Sequence, residues 1–228
     1  MAASDEYREI VDFLVKPENI ESALDLAVLV PRAMDRLHIK FWETQKELVE
    51  AGLHKRGAAD WIVGFWGDSD APLEAADFLQ KGWSLLQITP GPWKDMPLFW
   101  AYWVEQGYRT SSRRQSENEL APVTYGLGFY SQNERLMRRT GATLPSWAST
   151  LYDHPARLSG GWKSDKDSLK WGWVVYKEPA KLRARSEVIR LAQGNSLEEE
   201  IAGALLKLFD QTRKSVEAEN TKLRKSKP

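Results

Sequence analysis

The chain has 228 residues, enough for one large domain or two small ones around a buried core. Thirty-two Lys and Arg balance 32 Asp and Glu, which excludes the global basic field of a dedicated duplex-DNA binder but allows a local basic patch. With no cysteine, disulfides, thiolate zinc sites and cysteine nucleophiles are excluded as well.

The amino-terminal third reads as helix. Ser4 can cap a first helix with Tyr7, Ile10, Phe13 and Leu14 at helical spacing. Pro17 opens a second segment, PENIESALDLAVLV, with Ile20, Leu24, Ala27 and Val28 on one face. Pro31 is suited to the first turn of a third helix, because that turn does not need its missing N–H. The third helix runs to about Leu53 or His54, offers Met34, Leu37, Phe41, Trp42 and Leu48 to a core, and ends near Gly57. The opening MAASDEYREIVDFL has no basic region followed by an apolar one, so no signal peptide is expected. Nor does any apolar run approach the ~18–20 residues of a membrane span. The expected location is cytoplasmic, with no membrane partner.

The middle of the chain reads as sheet. Ten of the 11 tryptophans fall between Trp61 and Trp173, in short runs that alternate with glycine: DWIVGFW, LFWAYW, TYGLGFY and KWGWVVY. Alternation places Trp61, Val63 and Phe65 on one side of the first run, and Val123, Tyr125, Leu127 and Phe129 on one side of the third. WSLLQITP (83–90) and LFWAYWVEQGY (98–108) bring the total to about five strands. The latter is apolar on both sides and so belongs at the sheet centre. Glycine in a strand marks a close approach by something else. The expected neighbour at Gly64, Gly126, Gly128 and Gly172 is an indole lying across the bare backbone. The alternative is a flat ligand.

After the sheet, NERLMRRTGATL (133–144) reads as a short helix carrying Arg135, Arg138 and Arg139. The capping box Ser196-x-x-Glu199 follows the stop signal Gly194-Asn195. It starts a long helix with a stripe of Leu197, Ile201, Leu205, Leu208, Phe209, Thr212 and Val216. That helix packs on the sheet or pairs with a second copy, a route to a homo-oligomer. The fold class is therefore α+β: a helical segment over 1–57, and over 58–228 an antiparallel aromatic-rich sheet with helices, the two packed as one domain.

Catalytic motifs are missing. His38, His54 and His154 stand far apart, and there is no H-E-x-x-H, G-x-S-x-G or phosphate-loop pattern. No catalytic residue, cofactor or metal site is assigned. Binding candidates are two indole–lysine pairs in loops, Trp93-Lys94 and Trp162-Lys163, suited to stacking on a planar group with charge nearby. Their alternative is an indole folded back over the sheet edge with the lysine in water. Arg109, Arg113 and Arg114 lie in a polar insertion between two aromatic strands. They suit phosphates or an acidic surface, or else simply keep a hairpin loop soluble.

The order of elements resembles the carboxy-terminal accessory region of bacterial PD-(D/E)XK nuclease-superfamily proteins of restriction or phage-defence type. DFLVKPENIESALDLAVLVPRAMDRLHIKFWETQ (12–45), TYGLGFY (124–130) and WKSDKDSLKWGWVVY (162–176) carry the resemblance: a helix with Phe41-Trp42 leading into an aromatic sheet. The nuclease chemistry needs (D/E)-x-K, yet no lysine here has Asp or Glu two residues before it; Glu6-Tyr7-Arg8 is the nearest variant. The resemblance thus implies an accessory module without cutting activity. The expected function is a non-enzymatic binding or regulatory module, bacterial or phage, that grips a nucleic acid or a protein in defence or counter-defence. Two alternatives stand beside it. One is a metal-dependent phosphoester hydrolase using Asp68, Asp70, Asp165, Asp167 and His154. The other is an inhibitory protein acting through a protein interface.

Overall fold

The computed structural model describes residues 5–65, 83–91, 98–107, 123–131, 144–158, 161–164, 173–180, 185–194 and 196–225. Two amino-terminal helices come first, α1 (Asp5–Leu14) and α2 (Ile20–Lys55). Strands β1 (Trp61–Phe65), β2 (Trp83–Pro90), β3 (Leu98–Gly107) and β4 (Val123–Ser131) follow. Helix α3 (Ser146–Asp153) and a 3-10 turn (Pro155–Arg157) precede β5 (Trp173–Ala180), and α4 (Arg185–Gln193) and α5 (Ser196–Lys225) complete the chain. The five strands form one antiparallel sheet in sequence order, so the α+β arrangement read from the sequence is the observed one.

Strand β3 is central, and its residues explain why. Trp100, Tyr102 and Val104 point into the main core, while Phe99, Ala101 and Trp103 are buried on the opposite face beside Leu85 and Tyr176. A strand apolar on both sides must be covered on both. The second half of α2 and most of α5 lie over the first face. On α5 all seven residues of the anticipated stripe are buried, and Leu205 and Phe209 join Phe41, Trp42, Val49 and Leu53 of α2 in one cluster. Trp61 meets Phe209 edge-on, with ring centroids 4.8 Å apart.

Polar contacts lock α5 to the sheet. The Asn220 side chain accepts from the Trp100 N–H at 2.7 Å and donates to the Trp100 carbonyl at 2.9 Å. Trp100 lies beyond Ile88↔Tyr102, the last register pair of β2 with β3, so the amide supplies both bonds a neighbouring strand would have made. The Thr212 hydroxyl donates to the Leu208 carbonyl at 2.8 Å, which leaves its oxygen to accept from the buried Tyr102 hydroxyl at 2.7 Å.

One expectation about the helices needs correction. Pro31 does not start a third helix; it lies inside α2, which runs unbroken for 36 residues and is thus about 54 Å long at ~1.5 Å per residue. A proline in that position forfeits the bond to the Ala27 carbonyl, and the helix on either side continues regardless. At its other end α2 closes as anticipated. Gly57, at φ 62°, lets Ala58 N–H reach the Leu53 carbonyl and Gly57 N–H the His54 carbonyl, the paired bonds of a Schellman motif. The face that carries Ile20, Leu24 and Val28 meets no core: the three are 40%, 62% and 56% exposed.

The glycine expectation also changes. Gly126 stands between Trp103 and Tyr176 in register, but a Cβ there would strike the β5 backbone, with Tyr176 Cα at 2.8 Å and the Val175 carbonyl oxygen nearer still. The pairing of β4 with β5 is irregular on both sides of this point, and the backbone itself makes the close approach. At Gly64 a Cβ would meet nothing within 4 Å. The segment 133–144 expected as a helix lies outside the described residues, apart from Leu144.

Candidate functional site

Trp93, Lys94, Arg109, Arg113 and Arg114 lie outside the described residues, as do Asp68, Asp70, Asp165 and Asp167. Trp162 and Lys163 are described, at the outer edge of β5. Gly161, at φ 72°, turns the chain, and Lys163 then exchanges two backbone bonds of 2.9 Å with Tyr176. Alternation at this bridge sends the two side chains apart. Lys163 is exposed, while Trp162 turns inward and keeps 7% of its surface.

Of the two arrangements open to this indole, it adopts the folded-back one. Its ring meets Tyr125 edge-on at 5.7 Å, and Lys177 Nζ stands 4.9 Å from its centroid. Burial lowers the Lys177 amine below the usual range, with Lys207 adding to this and Glu200 opposing it. Burial also pushes the Tyr125 hydroxyl up to about 12, with Glu200 contributing. Glu200 itself is tied to Arg190 at 3.0 Å. The indole is thus enclosed by its own fold, and of this indole–lysine pair it is Lys163 that faces outward. His38 is buried in α2, whereas His54 and His154 are exposed. Among the described residues, no group of three or more His, Asp or Glu is placed to hold a metal.

A larger surface feature lies on the amino-terminal helices. Twelve large apolar side chains are exposed among the described residues, and ten of them fall between Ile10 and Val30: Ile10, Val11, Phe13, Val15, Ile20, Leu24, Leu26, Val28, Leu29 and Val30. Helix α1 and the first half of α2 form an arm that reaches away from the sheet. An Asn19 side-chain bond to the Phe13 carbonyl at 2.9 Å and the stacking of Lys16 over Phe13 fix the turn between the two helices. Near the body, Ala33, Arg36, Leu37, Ile39, Lys40 and Glu43 line a groove of about 720 Å³ on α2. The sequence did carry a signal for the arm. ALDLAVLVPRAM (23–34) is apolar around nearly the whole helix, a pattern that demands cover on more than one side. No helix among the described residues is long and apolar enough to cross a membrane.

Compared with known proteins, the chain matches no family model, no curated protein and no solved structure.

Proposed function

We propose that the chain is a non-enzymatic binding module that works through its helical arm and grips a protein. One observation carries this reading: among the described residues, ten of the twelve exposed large apolar side chains are gathered on 21 residues of chain, from position 10 to position 30. Scattered apolar residues on a surface need no explanation, but a continuous patch does. Ten such side chains, each roughly half exposed, present on the order of 1,000 Å², against about 300–600 Å² for the largest patch of an ordinary monomer. The charges choose between the two partner classes. Glu9, Asp12, Glu18, Glu21 and Asp25 make the outer part of the arm acidic, which repels phosphate and leaves a protein as the fitting partner. The defence setting implied by the nuclease-accessory resemblance is part of the same proposal.

The test is capture from nuclease-treated host extract by the native chain, by Leu24→Ser/Val28→Ser and by Lys163→Glu. Binding through the arm is expected to survive high salt and Lys163→Glu, and to disappear with the double serine variant. Capture that ignores the arm variant but fails with Lys163→Glu or with added salt overturns the reading in favour of the β5 edge.

A further inference from the structure

Granted that the arm is the binding surface, we infer that its partner is a second copy of this chain, with two α2 helices packed antiparallel about a two-fold axis between Val28 and Leu29. The charge pattern of α2 points to this. Glu21, Asp25, Arg32 and Arg36 are all exposed and fall at spacings of four, seven and four residues, which places them on one side of the helix. Asp25 and Arg32 each stand 3.5 residues from the Val28–Leu29 midpoint, and Glu21 and Arg36 each stand 7.5 from it. An antiparallel partner centred there therefore sets Asp25 level with the partner's Arg32 and Glu21 level with the partner's Arg36, twice over by symmetry. A two-fold antiparallel pair brings like flanks together, so one stripe suffices to make all four contacts.

Within a single chain the same stripe is unfavourable. Glu21 with Asp25, and Arg32 with Arg36, are like-charge pairs one turn apart, which weaken a helix. Among the described residues none of the four forms an ion pair inside the chain. Parallel pairing would bring unlike flanks together, so that the stripe of one helix misses that of the other and none of these contacts forms. Leu24 and Val28 lie beside the stripe and form the apolar seam.

Sedimentation equilibrium on the full chain tests the inference. A monomer weighs 26.1 kDa and a dimer 2 × 26.1 = 52.2 kDa. The native chain is expected at the dimer mass. Glu21→Arg/Asp25→Arg, which sets four like charges against four, is expected to fall to the monomer mass with unchanged helix content. Adding Arg32→Asp/Arg36→Glu to that variant is expected to restore the dimer, because the exchanged stripe is complementary again. Since the chain has no cysteine, Val28→Cys provides a second readout. A short bis-maleimide is expected to link it into a dimer, and to leave Leu24→Cys, whose partner at the same level is Ala33, unlinked. A native chain that stays at the monomer mass overturns self-association, and the arm still stands as a hetero-partner surface if the serine variants lose capture. A dimer indifferent to the charge changes, or linked equally through both cysteines, overturns the antiparallel register.

Discussion

At the scale of single residues, the junction of α5 with the sheet depends on a few polar atoms that have no substitute. Asn220→Ala leaves the Trp100 N–H and carbonyl buried without their partner, and each such group costs about 1–3 kcal/mol. A loss of at least ~2 kcal/mol in urea unfolding is expected, and a loss below 0.5 would mean that water replaces the amide. Gly126→Ala forces a methyl group into the β5 backbone, which cannot swing aside as a side chain can. It is expected to cost about 1–3 kcal/mol, at the upper end of that range. Two buried tyrosines set the alkaline limit. Burial holds the Tyr102 hydroxyl far above its ordinary 10.0 and the Tyr125 hydroxyl at about 12. The unfolded chain therefore loses these protons first. Their contribution is complete below pH 10 and is lost as pH rises through the folded values. Stability should fall between pH 10 and 12, and Tyr102→Phe/Tyr125→Phe should flatten that decline.

At the scale of elements, α2 is two helices in function and one in geometry. Its second half carries Phe41, Trp42, Val49 and Leu53 into the core, so Trp42→Ala is expected to cost about 3–5 kcal/mol. Its first half carries equally apolar residues into solvent, so Leu24→Ser/Val28→Ser, studied at a dilution where the chain is monomeric, is expected to change stability by less than about 0.5 kcal/mol per site. Thermal or urea melts of the two variants side by side check the contrast. The apolar stripe alone could not reveal this division. Spacing shows which side of a helix is apolar, and Ile20, Leu24 and Val28 continue the same stripe as Phe41 and Trp42. Whether anything lies against that stripe depends on chain distant in sequence. The stripe on α5 was fully legible because every position of it meets the sheet or α2. Pro31 misled for a related reason: proline favours a first turn, but a long helix tolerates the loss of one bond.

At the scale of the whole molecule, strand alternation and the doubly apolar β3 make the antiparallel sheet readable from the sequence. The site was much less legible. Trp162 and Lys163 are adjacent in sequence and similar in type to Trp93 and Lys94, yet the backbone bridge to Tyr176 turns the indole inward and the amine outward. No composition or spacing rule encodes that bridge. What the sequence did hold, in ALDLAVLVPRAM and its flanking charges, is a surface with a reversal symmetry that becomes meaningful only once α2 is known to be continuous and uncovered.

On the proposal made above, the arm is bare in the isolated chain and covered on association. Amide hydrogen exchange on the full chain, run at concentrations on either side of the monomer–dimer midpoint, tests it most directly. Amides between residues 20 and 37 are expected to exchange quickly in dilute solution and to become protected as concentration rises, while those of residues 41–53 stay protected throughout. Arm amides that exchange at one unchanging rate across the same range would contradict it.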